Sequence, residues 1–168
     1  SKTYRSGVTV RSASGEHATI ASVWMLDLHG MSFQDLDIAG AFQARLSSSL
    51  HILDNHIGGG ISIRDDMHDV TIAGNRIDGG AFGIWVWNSQ VTPRNHDITI
   101  SANDISGQTA DNIQLGAADN FTITDNALHD IADNSDHNDG IQVMGTTGGL
   151  IARNRFWNQD QAVMLKAE

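Results

Sequence analysis

The stretch that decides the fold is Val70-Thr71-Ile72-Ala73-Gly74-Asn75-Arg76-Ile77. Apolar and polar residues alternate, an asparagine follows two mixed positions, and an apolar residue ends the unit. The same order returns at Leu50–Ile57, Ile98–Ile105 and Phe121–Leu128, more weakly at Leu150–Phe156, and in degenerate form at Met31–Ile38. From Leu36 through the asparagines, successive units are spaced by 19, 20, 28, 23 and 28 residues. Repeats of this length are typical of solenoid proteins.

A second alternating pattern follows each of these units. Its copies are Gly60-Ile61-Ser62-Ile63-Arg64, Gly83-Ile84-Trp85-Val86-Trp87, Asn112-Ile113-Gln114-Leu115-Gly116, Gly140-Ile141-Gln142-Val143-Met144 and Ala162-Val163-Met164-Leu165-Lys166. Alternation with a period of two predicts a strand with one buried face. Each unit therefore holds two or three short strands, separated by turns rich in Gly, Asn and Asp.

Such a unit buries its apolar side only by stacking on the next unit. Helical periodicity is absent, and parallel connections within a sheet are overwhelmingly right-handed. The sequence therefore predicts one all-β domain over residues 1–168, a single-stranded right-handed parallel β-helix of about six coils. Two interior columns are expected, one of Ile72, Ile100, Ile123 and Ile151, the other of Ile84, Ile113, Ile141 and Val163. The repeated asparagines are expected to form an inward amide ladder.

Composition narrows the range of partners. The 168 residues carry a formal net charge of −10, which argues against nucleic acid, because basic residues supply most of that affinity. No apolar run is long enough to span a membrane, so a membrane partner is not expected either. Neither terminus resembles a cap, and we expect a fragment of a longer chain. Unpaired strand edges at the ends of a solenoid favour a homo-oligomer or other contacts through those ends.

The asparagine-centred repeats and the segment Asp136-His137-Asn138-Asp139-Gly140-Ile141-Gln142 resemble secreted bacterial β-helix proteins of the pectate-lyase-like type. That group comprises polysaccharide lyases, alginate C5-epimerases and glycoside hydrolases, with phage tailspikes nearby. The resemblance implies an extracellular protein that acts on a polysaccharide, and it leaves the reaction open. Of the polygalacturonase segment Asn-Thr-Asp-Gly-Ile-Asp, this chain keeps only Asp139, Gly140 and Ile141.

The parity of the second pattern predicts two outward rows on one face of the solenoid. These rows are Ser62, Trp85, Gln114, Gln142 and Met164, and beside them Arg64, Trp87, Gly116, Met144 and Lys166. Sugar rings stack on indole faces, and amides bond hydroxyl groups. The predicted substrate-binding residues are therefore Trp85, Trp87, Gln114 and Gln142, with Arg64 and Arg94 as the cations for the carboxylate of an acidic sugar. Alternatively, a loop such as residues 90–96 folds over the two tryptophans as a small additional core.

The longest polar loop, residues 130–139, leads into the strand that carries Gln142. Asp111 and Asp139 occupy equivalent positions in adjacent coils, an arrangement that can supply the acid and base of glycoside hydrolysis. A lyase or epimerase needs a base, for which His137 or Lys166 is a candidate, and a cation on the uronate carboxylate. The loop's oxygen ligands, Asp133 and Asp136, suit Ca²⁺ as a cofactor. The alternative interpretation is a solvated turn whose aspartates bond backbone amides.

Two functions follow from these patterns. The first is a carbohydrate-active enzyme, whether lyase, C5-epimerase or hydrolase, that binds a polysaccharide in a groove around the outward rows. The second is a non-catalytic β-helix, either a shaft or a glycan-binding module such as a tailspike or adhesin segment.

Overall fold

The structure, a computed structural model, describes residues 2–89, 93–132 and 138–167. Three parallel sheets of seven strands each form a stack of seven coils, and every coil contributes one strand to each sheet. The predicted parallel β-helix is therefore confirmed. The coil beyond the expected six is the first one, Lys2–Leu26, which lacks the asparagine motif.

We name the sheets A, B and C in the order in which the chain visits them. Sheet A contains β1 (Lys2–Arg11), β4 (Leu28–Gln34), β7 (Ser48–Leu53), β10 (His68–Ala73), β13 (Asn95–Ser101), β16 (Ala118–Thr124) and β19 (Thr147–Ala152). Sheet B contains β2 (Ala18–Ile20), β5 (Leu36–Ile38), β8 (His56–Ile57), β11 (Arg76–Asp78), β14 (Asp104–Ser106), β17 (Ala127–His129) and β20 (Arg155–Trp157). Sheet C contains β3 (Val23–Leu26), β6 (Phe42–Arg45), β9 (Ile61–Arg64), β12 (Ile84–Trp87), β15 (Ile113–Gly116), β18 (Asp139–Met144) and β21 (Gln161–Lys166).

Equivalent residues lie directly over each other, as the columns require. The parallel register joins Ile72 to Ile100, Ile100 to Ile123, and Ile123 to Ile151 in sheet A. In sheet C it joins Ile84 to Ile113, Ile113 to Ile141, and Ile141 to Val163. Ile72, Ile84 and Ile113 have no solvent exposure, whereas Val163, on the last strand of sheet C, is 39% exposed and not interior as predicted. Each such burial contributes about 1.5–3 kcal/mol to the free energy of unfolding.

The corner between sheets A and B carries the predicted asparagine ladder. The side-chain oxygen of Asn103 accepts hydrogen bonds from the backbone N–H and the amide of Asn75, at 2.9 and 3.0 Å. The amide of Asn103 donates to the Ile72 carbonyl at 3.0 Å and to Asn126 at 3.0 Å. The same pattern runs from Asn55 to Asn154. Each asparagine thus closes its own corner and bonds the next coil.

The three corners differ in length. In the five coils that carry the asparagine, the A–B corner is always two residues long. In the same coils the B–C corner varies from three to nine residues, and the C–A corner that follows varies from one to seven. The uneven spacing of the repeats therefore arises at two corners, and loops there can lengthen without shifting the interior columns.

Candidate functional site

The outer face of sheet C carries the two rows predicted from the alternation. Register places Ser62 beside Trp85, Trp85 beside Gln114, Gln114 beside Gln142, and Gln142 beside Met164. The second row places Arg64 beside Trp87 and continues through Gly116, Met144 and Lys166. The predicted substrate-binding residues Trp85, Trp87, Gln114, Gln142 and Arg64 thus lie together on one surface.

Three aromatic rings form a stacked cluster on this surface, which we call the aromatic cluster. The rings of Phe82 and Trp85 are 5.5 Å apart at 18°, and those of Trp85 and Trp87 are 6.2 Å apart at 26°. The Arg64 guanidinium lies 5.5 Å from the centre of the Trp85 ring, within cation–π range. Both tryptophans are half-buried. The enclosed Trp85 Nε1 has no hydrogen-bond partner, so this indole presents carbon surface, not its N–H.

Gly116 explains how the Trp87 indole lies flat against the sheet. A Cβ atom at Gly116 would meet two ring carbons of Trp87 at 2.4 Å. Any side chain at this position would therefore push the indole away. A large side chain in one coil and a glycine in the next coil create a smooth aromatic surface.

Next to the aromatic cluster, glutamines form an amide ladder that continues the row. Gln114 Nε2 donates to Gln142 Oε1 at 2.5 Å, and Gln142 Nε2 lies 3.2 Å from Met164 Sδ. Both glutamines also bond the aspartate three residues earlier, Gln114 to Asp111 and Gln142 to Asp139, at 3.0 Å each. The repeated Asp-x-Ile-Gln sequence produces this arrangement, because the isoleucine points inward and the glutamine outward.

The two predicted catalytic aspartates are adjacent, as expected, but they are enclosed. Asp111 is 2% exposed and Asp139 is 0% exposed. Asp111 Oδ1 accepts the backbone N–H of Asp139 at 3.0 Å, which joins the two coils. A group that exchanges a proton with substrate must reach it. In this geometry the carboxylates orient the glutamines, and their catalytic role stays a prediction.

Near the aromatic cluster, the positive charge comes from two neighbouring arginines, Arg45 and Arg64. Arg45 Nε bonds Asp65 Oδ2 at 2.7 Å. Burial raises the pKa of Asp65, but hydrogen bonds from Ser89 and Arg45 outweigh it, and the net pKa is lowered. Within the described residues Arg64 forms no ion pair, and its guanidinium makes a cation–π contact with the Trp85 ring. Arg64 is therefore the cation that can bind an anionic group of a ligand.

A groove of about 390 Å³ opens beside Arg64 and the aromatic cluster. This volume falls within the usual range of ligand sites, about 300–1,000 Å³. Gln43 and Ser62 provide polar wall groups, while Phe82 and Trp85 provide the aromatic wall. Phe82 was missed from the sequence, because it lies in the loop before β12 and outside the alternating pattern.

The other two predicted cations, Arg94 and Lys166, line a different cavity from Arg64. Arg94 bonds Asp119 Oδ2 at 2.8 Å and the Gly145 carbonyl, and so braces the C–A corner. Lys166 lies at the last position of the second row and is exposed. Both line a cavity of about 780 Å³, whose walls include Val143 and Ile151 from the interior of the solenoid. Arg94 is therefore engaged by groups of the C–A corner, and it shares this cavity with Lys166.

The predictions for His137, Asp133 and Asp136 lie outside the described residues. The calcium site and the histidine base therefore remain predictions. Within residues 2–89, 93–132 and 138–167, no group of three or more His, Asp or Glu side chains is arranged to hold a metal ion. The same residues contain no helix with the length and hydropathy that a membrane span requires.

Comparisons with known proteins agree with this architecture. Residues 59–168 match the model of the family described as right-handed beta helix region. A comparison with curated protein sequences found no match. Among solved structures, a double mutant of the periplasmic alginate epimerase AlgG superposes with a TM-score of 0.64 at 17% identity. The match covers 88% of this chain and 38% of the epimerase chain, so this chain spans well under half of that enzyme.

At that identity the structural match establishes the fold alone. The family match extends over most of the chain and agrees with the stacked register of the three sheets. The description of the family also agrees with the right-handed coils that the sequence predicts. The chain belongs to the right-handed β-helix family.

Proposed function

We propose that this chain is the β-helix domain of a secreted carbohydrate-active enzyme that binds an extracellular polysaccharide along the outer face of sheet C. The observation that carries the proposal is the stacked cluster of Phe82, Trp85 and Trp87, which continues into the ladder of Gln114 and Gln142. The fold similarity to a periplasmic alginate epimerase supports the polysaccharide as the partner and a location outside the cytoplasm.

The surface has the chemistry that sugar rings require. The C–H face of a pyranose packs on an aromatic ring, and its hydroxyl groups bond amides. The aromatic cluster supplies the first kind of contact, and Gln114 and Gln142 the second. Arg64 can bind a carboxylate, so an acidic sugar fits beside Trp85. This local charge matters because the net charge of −10 repels a polyanion elsewhere.

The candidate reactions use the catalytic residues predicted from the sequence. A lyase or C5-epimerase removes the proton at C5 of a uronate, for which His137 or Lys166 would act as the base. A hydrolase would use Asp111 and Asp139 as its carboxylate pair. Asp133 and Asp136 would hold Ca²⁺ if the reaction uses a bridging cation. The enclosed position of Asp139 favours the first scheme, with both aspartates positioning the glutamines.

A non-catalytic glycan-binding module is the second candidate. It is favoured by the enclosure of Asp111 and Asp139, both of which are engaged by the glutamine ladder. In that case the aromatic cluster and the amides bind the glycan, and the protein performs no chemistry. A homo-oligomer formed through the ends of the solenoid is compatible with both functions.

A polysaccharide panel tests the proposal. The protein is incubated with polyuronates and neutral glucans, with and without Ca²⁺. Unsaturated products are followed by absorbance, reducing ends by a colour reaction, and epimerisation by NMR. Binding is followed in parallel by tryptophan fluorescence. We expect binding to an acidic polysaccharide together with one of the three product signals. Binding without any product selects the glycan-binding module, and the absence of binding to every polysaccharide overturns both functions.

A further inference from the structure

The row that contains Trp85 extends further toward the first coil than the aromatic cluster does. Register joins Trp24 to Gln43, Gln43 to Ser62, and Ser62 to Trp85. Trp24 therefore lies in the same outward row, three coils before Trp85. Trp24 is 59% exposed, compared with 40% for Trp157 on sheet B. The alternation of β3, in which Val23 and Met25 are buried, makes Trp24 point away from the core.

The distance between the two indoles follows from the stacking of the coils. Adjacent parallel strands are about 4.8 Å apart, so three coils place Trp24 and Trp85 about 14 Å apart along the helix axis. One sugar residue in an extended glycan advances by nearly the height of one coil. Rings bound on the two indoles would therefore have two sugar residues between them.

The surface between the two indoles is polar and recessed. Gln43 and Ser62 occupy the two intervening positions of the row, and both line the groove of about 390 Å³. Arg64 borders the same groove from the neighbouring row. Two aromatic ends with hydroxyl and amide groups between them match the alternation of C–H faces and hydroxyls along a glycan. An apolar protein segment would leave Gln43 and Ser62 without hydrogen bonds.

We propose that Trp24 forms a distal aromatic subsite, so that sheet C binds a linear glycan of four or more sugar residues parallel to the helix axis. This inference rests on the proposed function, because it uses Trp85 as the first subsite. It adds the direction of the glycan and the minimum length that engages both tryptophans. Chains of two or three sugar residues reach only one indole.

Binding as a function of chain length tests the inference. Two oligosaccharide series of two to seven residues are used, oligouronates and cello-oligosaccharides, and affinities are measured by calorimetry. We expect the affinity of the wild-type protein to rise sharply between three and five residues. Trp24→Ala should weaken the binding of the longer chains about fivefold, the effect of losing one aromatic contact. The affinity for chains of two and three residues should not change.

Leu26→Ala is the matched control, because Leu26 lies on the same strand, is 49% exposed and belongs to the neighbouring row. It should leave every affinity unchanged, and circular dichroism should show both variants folded. An equal loss at all lengths, or no loss at any length, overturns the distal subsite while binding through Trp85 stands. Self-association that Trp24→Ala abolishes also overturns it, since a second copy then covers Trp24. If neither series binds the wild-type protein, the proposed function itself fails.

Discussion

Gln114 and Gln142 lie directly over each other on the outer face of sheet C, and the amide of the first donates to the oxygen of the second at 2.5 Å. Each amide also bonds a buried aspartate of its own coil, Asp111 or Asp139, at 3.0 Å. The orientation of both amides is thereby fixed from beneath. The proposed glycan would meet amide groups that are already ordered, which lowers the entropic cost of binding.

Asp139→Asn separates a positioning role from a catalytic one. A neutral amide holds Gln142 less firmly than a carboxylate, because charge-assisted hydrogen bonds are about twice as strong as neutral ones. We expect KM to rise about tenfold while kcat stays within about threefold. The measurement is steady-state kinetics on the polysaccharide that the panel identifies. A kcat reduced more than about a hundredfold with unchanged KM would establish Asp139 as a catalytic residue.

Trp85→Ala should weaken glycan binding about tenfold, because it removes the central ring of the aromatic cluster and the contact of Arg64. The matched control is Trp157→Ala, since Trp157 is 40% exposed but lies on sheet B. Titration with the bound polysaccharide, followed by calorimetry, compares the two. Similar losses in both variants would move the binding surface away from sheet C.

Asn103→Ala should lower the free energy of unfolding by about 2–4 kcal/mol, because buried partners in the adjoining coils lose hydrogen bonds. The backbone N–H of Asn75 and the Ile72 carbonyl are among them. Asn154→Ala is the comparison, since Asn154 is only half-buried and bonds fewer groups. Urea unfolding should give the smaller loss for Asn154. Equal and small losses would mean that the ladder contributes little to stability.

His129 makes the stability depend on pH. Burial lowers the pKa of His129, but hydrogen bonds and the charges of Asp130 and Asp104 outweigh it, and the net pKa is raised. The imidazole Nε2 lies 2.7 Å from a carboxylate oxygen of Asp104, and Nδ1 lies 2.7 Å from one of Asp130. A raised pKa in the folded state stabilises the protein fully below the ordinary histidine pKa, near 6.5, and this contribution is lost as the pH rises through the folded value.

The expected result is a melting temperature that falls as the pH rises from about 6.5 into the mildly alkaline range. His129→Gln should flatten this part of the profile, because the amide does not titrate there. His68→Gln is a suitable control, since His68 contacts a single aspartate, Asp69, at 2.9 Å and lies on sheet A. A profile that stays steep in His129→Gln would assign the dependence to other groups.

The fold could be predicted from the sequence because the sequence pattern repeats. Alternation with a period of two fixes which side of a strand is buried, and a recurring asparagine marks the same corner in successive coils. Those two regularities place Ile100 over Ile123 and Trp85 over Gln114, as the register confirms. The repeat predicts about six coils, the earliest of them marked by Leu36 in place of the asparagine. The seventh coil, which is the first in the chain, carries no motif and was therefore not counted.

Only part of the candidate site could be predicted from the sequence. Residues on strands, such as Trp87 and Gln142, follow the parity rule, whereas Phe82 and Arg94 lie in loops, where parity gives no direction. The pattern also says nothing of depth, so the complete burial of Asp139 could not be foreseen. His129 contacts Asp104 of the preceding coil, and that pairing depends on side-chain reach, which spacing does not encode.

In the five coils that carry the asparagine, the A–B corner keeps its two residues, whereas the B–C and C–A corners vary in length. An insertion at the A–B corner of these coils would move the asparagine away from the backbone groups that it bonds. An insertion at the B–C or C–A corner lengthens a loop and leaves the next strand in register with its neighbours. Relatives that share this β-helix can therefore differ in ligand preference through different loops. Overall sequence identity is then a poor guide to the ligand of any one of them.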